Sequence, residues 1–180
     1  MTIQEIQAFV TAPYEDSVHE IKAAKPWTDR CFKAERLRDI AAMANSGGGL
    51  LLIGRDNPNF RTGTLAPQEQ QTYDITAVAV DVRNYIAPIV AVRVHYLNAG
   101  PDLLVALDVP TITRAPAIMI TDFGCEQHGT HFKPGDVYVR TPAAQTQRLA
   151  SYPEMEDLLN RVVEYRLVQE LQRFRTLGGA

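Results

Sequence analysis

Glu15 and Glu20 lie five residues apart, Lys22 follows two residues later, and Asp56 stands just past the apolar run Leu50-Leu51-Leu52-Ile53, after Gly54-Arg55. Carboxylate oxygens are the donors a hard divalent cation prefers, and an ammonium group beside them suits a phosphoryl oxygen. Three carboxylates drawn together repel, so either their pKa values rise or a cation neutralises them. The residue types therefore fit a Mg²⁺ or Mn²⁺ site acting on phosphodiesters, with Glu15, Glu20 and Asp56 as ligands and Lys22 stabilising charge on the phosphate. A plainer reading keeps Glu15, Asp16 and Asp56 as solvated loop acids and makes Glu20 and Lys22 an ordinary exposed ion pair.

The interval from Lys22 to Arg38 holds the bases Lys22, Lys25, Arg30, Lys33, Arg36 and Arg38 against only two acids, Asp29 and Glu35, with Trp27 and Phe32 among them. Such a patch can hold a phosphate backbone and stack a base. It can equally be a charged helix face whose two rings pack inward. Cys125, His128 and His131, near Asp122, are zinc-type donors, but the paired thiols of a standard zinc motif are missing, and a polar surface loop is the alternative. Gly47-Gly48-Gly49 is followed by no Gly-Lys-Ser/Thr, so it is no Walker loop, and a close backbone approach between a helix and a strand explains it better. His19 and His95 have the chemistry for proton transfer, although a satisfied surface histidine is the commoner state.

Whole-chain properties narrow the classes. The chain has 180 residues, 46% of them apolar, enough for one domain over 1–180 with a genuine core. A net charge of -3 excludes a polybasic protein, so any nucleic-acid site must be local. Cys31 and Cys125 sit in dissimilar surroundings, and the N-terminus shows neither a basic nor an apolar leader region. A reducing cytoplasm is the expected compartment. No apolar run is long enough to cross a bilayer, so no membrane partner is expected.

These groups need elements to hold them. Ile3, Ile6, Phe9 and Val10 predict a first helix over Thr2 to Val10, capped by Thr2. Val18 to Ala23 alternates as a strand, which puts Glu20 and Lys22 on one face and Ile21 on the other. Leu37, Ile40, Ala41 and Ala44 predict a helix over Lys33 to Ala44, ended by Asn45-Ser46-Gly47, and Leu50 to Ile53 reads as a strand covered on both faces. A helix over Ile75 to Ile86 precedes a hairpin whose arms are Val90–Tyr96 and Leu103–Val109, with Arg93 and His95 on its polar side. Strands follow at Ala117–Thr121 and Asp136–Arg140, separated by a polar loop, Asp122 to Gly135, that should run over the surface. A terminal helix spans 152–175, and its distal Leu167, Val168, Leu171 and Phe174 leave apolar surface that a partner chain could cover in a homo-oligomer. The sum is an α/β (α+β) domain with a mixed, largely antiparallel sheet, flanking helices and a long C-terminal helix.

At these residues the chain resembles a known family. Glu15-Asp16-Ser17-Val18-His19-Glu20-Ile21-Lys22, then Ala44-Asn45-Ser46-Gly47-Gly48, Ile53-Gly54-Arg55-Asp56 and Val137-Tyr138-Val139-Arg140 are similar, in the same order, to the blocks of the Schlafen-type AlbA-like domain. The resemblance covers roughly residues 14 to 160. It implies a domain that binds nucleic acid, DNA or RNA, and, in some members, a metal-dependent endoribonuclease cutting transfer or ribosomal RNA, with the metal-holding acids at Glu15, Glu20 and Asp56. Other members are described as DNA-binding regulators. Three functions follow as expectations: a ribonuclease using the three acids and Lys22; a non-catalytic DNA- or RNA-binding regulator using Lys25, Arg30, Lys33, Arg36 and Arg38; and an oligomeric interaction module using the terminal helix.

Overall fold

Leu50, Leu51, Leu52 and Ile53 are all fully buried, which fixes the centre of the molecule. In the computed structural model, which describes residues 1–55, 63–125 and 130–177, they form β2 (Gly49–Ile53). β2 pairs in parallel with β1 (His19–Lys22), placing Glu20 opposite Leu51. On its other side it runs antiparallel to β5 (Asp102–Val109), which forms a hairpin with β4 (Arg93–Ala99). The sheet order is β1-β2-β5-β4, a mixed sheet with one parallel pair and β1 on its edge.

Period-two geometry divides β2 between two cores. Leu50 and Leu52 pack with Ile21, Leu104 and Ala106 against Ile6 and Phe9 of α1 (Ile3–Thr11). Leu51 and Ile53 face the other way, into a core they share with α2 (Arg30–Asn45) and with Val78 and Val82 of α4 (Ile75–Tyr85). Each such side chain removed from water contributes about 1.5–3 kcal/mol, so β2 anchors both layers.

Polar residues fix where the helices begin and end. Thr2 Oγ1 accepts from the Glu5 amide at 3.2 Å while Glu5 accepts from the Thr2 amide at 2.7 Å, a reciprocal cap on α1. Asp29 accepts from the amides of Cys31 and Phe32, so α2 starts three residues earlier than its apolar stripe suggests. Past its C-terminus, Gly47 takes φ +101° and the Gly48 amide returns to Met43 O at 2.8 Å. A Cβ at Gly48 would stand 2.8 Å from Val109 O, and one at Gly49 2.6 Å from Val18 O. The glycine block is thus a close backbone approach and not a phosphate cradle. Asn45 locks the same corner: it accepts from the Ala117 amide at 2.7 Å and donates to Ala117 O and Tyr138 O.

The remaining elements are short. α3 (Pro67–Gln71) precedes α4, and β3 (Ile86–Ala87) pairs with β6 (Ile118–Met119). β9 (Tyr138–Arg140) pairs with β10 (Thr146–Arg148). α5 (Tyr152–Leu177) packs Leu158 and Val162 onto Val137 and Val139.

The expected surface excursion over Asp122 to Gly135 is corrected at 123–125 and 130–132; residues 126–129 lie outside the described residues. β7 (Phe123–Cys125) runs antiparallel to β8 (Thr130–Phe132), and Phe123 and Phe132 are buried against Tyr85. The two cysteines are also closer than their surroundings suggest: Cys31 and Cys125 lie 4.8 Å apart at Cα and are joined as a disulfide. Cys125 therefore offers no thiolate for the zinc-type set, and His128 lies outside the described residues.

Candidate functional site

Glu20 and Lys22 do share a face of β1, but the pair they form is not exposed. Lys22 Nζ lies 2.8 Å from Glu20 Oε1 and 3.2 Å from Asp39 Oδ2, while Arg140 contacts the second oxygen of Glu20. Thr146 donates from Oγ1 to Asp39 Oδ1 at 2.5 Å, and Arg140 donates from Nη2 to Asp16 O at 3.0 Å. The side chains of Arg140, Asp39 and Glu20 are only 1%, 3% and 10% exposed, and that of Lys22 is 22% exposed. Two acids and two bases from β1, α2 and β9, braced from β10, thus form a charge-balanced cluster under the sheet edge.

Burial sets the protonation energetics. It pushes the Glu20 carboxyl above its ordinary range, Asp39 adds to that, and Lys22 and Arg140 oppose it. Burial works against the Lys22 ammonium too, yet Asp39 and Glu20 outweigh it and hold its pKa well above the ordinary lysine range. Lys22 remains charged throughout the physiological range.

Residue type and spacing do not single out Asp39 and Arg140. Asp39 interrupts a helix that is buried on nearly every side from Ala34 to Asn45, and an acid in such a helix needs a cation. Arg140 ends a strand whose three residues are all buried.

Glu15 takes a different position. It is exposed, and its Oε1 accepts from the Ile21 amide at 3.2 Å, satisfying an outward donor of the edge strand. Asp56 lies outside the described residues. Among the described residues no three His, Cys, Asp or Glu side chains are grouped as metal ligands. Both oxygens of Glu20 are occupied by cations, so the described part of the acid trio does not fit a divalent ion as it stands. His19 Nδ1 is tied to Asp16 at 2.9 Å, and His95 sits on β4, at the far edge of the sheet from the cluster.

The basic segment divides into three kinds of residue. Lys25 and Arg30 are exposed; Lys25 Nζ lies 5.4 Å from the Phe32 ring centre, and Arg30 rests on the Phe123 ring while donating to Gly124 O at 2.8 Å. Lys33 pairs with Asp81 at 2.8 Å, and Arg38 is half-buried over the Tyr138 ring. Arg36 is a correction, because it has no exposed surface and its guanidinium is wedged between Phe32 and Tyr73. It donates to Lys25 O, which also accepts from the Tyr73 hydroxyl at 2.5 Å. Burial lowers the Arg36 pKa and raises that of Tyr73. Arg36 thus supports the loop that presents Lys25. Trp27, 1% exposed, donates from Nε1 to Asp81 and takes the inward alternative.

The Schlafen AlbA_2 family model matches residues 15–149, about three quarters of the chain, and the chain belongs to that family. The matched stretch holds all four charged residues of the cluster and the basic segment, whereas α1 and α5 fall outside it. No curated protein matches the chain. Two solved structures share the fold. One is the DIP2311 protein from Corynebacterium diphtheriae, with TM-score 0.54 and 14% identity over 82% of this chain; the match spans 26% of that protein. The other is the N-terminal domain of an ATP-dependent DNA helicase RecG-related protein from Nitrosomonas europaea, with TM-score 0.50 and 18% identity over 84% of this chain and 96% of that domain. No helix among the described residues is long and apolar enough to cross a membrane.

Proposed function

We propose that the chain is a nucleic-acid-binding domain that engages the phosphate backbone through the cations at the start of α2, with Lys25 and Arg30 as principal contacts and Lys33 and Arg38 flanking them. The observation that carries this reading is the support beneath the cations. Lys25 is exposed on a segment whose backbone is gripped by Arg36 and Tyr73 at its own carbonyl and by Thr72 at the Trp27 amide, 2.8 Å away. Arg30 is seated on Phe123. Fixed cations hold a polyanion with less ordering entropy than free ones, and this surface is local to a chain of net charge -3. The family and the helicase-related neighbour support the same class of ligand.

Binding without cleavage fits the described residues better than hydrolysis. In the buried cluster every carboxylate already has its cation, so Glu20 and Asp39 serve to tie β1, α2 and β9 together. The metal-dependent endoribonuclease reading, with Mg²⁺ or Mn²⁺ on Glu15, Glu20 and Asp56, requires Glu20 to exchange Lys22 and Arg140 for a metal ion.

Fluorescence anisotropy with labelled single-stranded RNA, transfer RNA and duplex DNA tests the proposal at two salt concentrations. Affinity should fall steeply with salt, and Lys25→Glu with Arg30→Glu should flatten the slope by about one to two units. Binding that is absent at low salt, or indifferent to both substitutions, overturns it. Transfer RNA incubated with Mn²⁺ beside a Glu20→Ala control separates binding from turnover.

A further inference from the structure

α5 carries two apolar stripes on opposite faces. Leu158 and Val162 are buried on the body, and the Tyr165 hydroxyl lies over Gly47. On the opposite side Leu159, Val163, Leu167, Leu171 and Phe174 are 47%, 55%, 58%, 59% and 69% exposed. Five large apolar side chains in line along one helix face form a contiguous strip of the kind that marks an interaction surface.

The charges of the same helix say what covers the strip. Its first half carries Glu154, Glu156, Asp157 and Glu164 against the lone base Arg161; its second half carries Arg166, Arg173 and Arg175 against the lone acid Glu170. Such a helix repels a parallel copy of itself and attracts an antiparallel one. The register agrees. Asp157 and Arg175 lie about five full turns apart at 3.6 residues per turn, hence on one flank of the strip. Their midpoint, at Arg166, is also the middle of the strip that runs from Leu159 to Phe174. A two-fold axis crossing α5 there lays the strip on its own copy and brings Asp157 opposite Arg175 of the partner subunit, twice by symmetry. Asp157 already takes Arg161 at 2.9 Å and is still 67% exposed, so it has room for a second cation.

We infer that α5 is the interface of a two-fold homodimer, paired antiparallel about Arg166 and Leu167, with a second copy of this chain as its occupant. The interface is isologous, the commonest kind among soluble oligomers. It lies outside the stretch matched to the family, which makes it a property of this chain's own terminal helix.

Sedimentation velocity over a range of concentrations tests it on the full chain. The expected mass at high concentration is two chains of 20.0 kDa. Leu167→Glu, at an exposed position, should leave the circular dichroism unchanged and give one chain. Asp157→Arg and Arg175→Asp should each weaken the dimer about tenfold, because symmetry counts the exposed pair twice, and the double exchange should restore it. A single-chain mass at every concentration, a dimer that survives Leu167→Glu, or an exchange that fails to rescue overturns the inference.

Discussion

Arg140, at the end of β9, closes on the carboxylate of Glu20, on edge strand β1, and so joins two elements far apart in sequence. Its Nη2 also holds Asp16 O at 3.0 Å, and its backbone amide donates to Ser46 Oγ at 2.8 Å. One residue thus fixes β1 and the turn before it through its side chain, and the corner after α2 through its backbone amide.

Removing that cation leaves Glu20 and Asp39 sharing Lys22 alone. Arg140→Met preserves most of the volume but strands a buried charge, so unfolding stability should fall by about 3–5 kcal/mol. Combining it with Glu20→Gln should cost less than the two losses added, because the second change removes the group that the first left unpaired. Urea midpoints for the four proteins of the cycle check this, and strict additivity would refute the coupling.

Glu20 also predicts a pH dependence of definite sign. Its folded pKa lies above the ordinary value of 4.5, chiefly through burial. The neutral form is therefore the one the fold favours, and the stability this group contributes is complete below 4.5 and is lost as pH rises through the folded pKa. Relative to Glu20→Gln, the native protein should lose ground across that window and level off above the folded pKa. Denaturant melts of both proteins between pH 4 and about 7, with the carboxyl titration followed by NMR, decide it; a Glu20 midpoint below 4.5 would reverse the sign.

Within the basic segment, stability and binding should separate residue by residue. Arg36→Ala deletes a fully buried guanidinium and one of the two donors to Lys25 O, so it should destabilise the fold by about 1–3 kcal/mol. Lys25→Glu should leave the melting temperature nearly unchanged while weakening RNA or DNA binding at low salt. Thermal melts run beside anisotropy titrations on both variants test the division. If Arg36→Ala left stability intact and abolished binding, the assignments would exchange.

Much of this architecture is legible in the residues, for physical reasons. Four consecutive apolar residues without alternation, Leu50 to Ile53, followed by Gly54, are the pattern of a strand buried on both faces, and Gly47 to Gly49 announce a helix end pressed against a strand. The chemistry of the site was harder to read. Glu20 and Lys22 show in sequence because alternation puts them on one face, but their partners Asp39 and Arg140 come from other elements, and only folding reveals that the pair is buried. The basic run misled at Arg36 because a helix with three turns of burial hides cations as readily as it displays them. The β7 and β8 pair was concealed by the polar letters around Phe123 and Phe132. Cys31 and Cys125, 94 residues apart, meet through the packing of α2 on that pair.

That last contact yields a prediction linking stability to binding. A crosslink between cysteines 94 positions apart restricts the unfolded chain by about 4–5 kcal/mol on the chain-entropy account. Dithiothreitol should therefore lower the melting temperature of the native protein and leave a Cys31→Ser, Cys125→Ser variant unaffected. The bond also fastens the first turn of α2 to β7, where Arg30 rests on Phe123 and donates to Gly124 O. Reduction should consequently weaken nucleic-acid binding through added freedom at Arg30, and Arg30→Ala should abolish that sensitivity. A melt unchanged by reductant, with free thiols counted at zero beforehand, would show that the fold holds without the crosslink; binding unchanged by reductant would detach Arg30 from it.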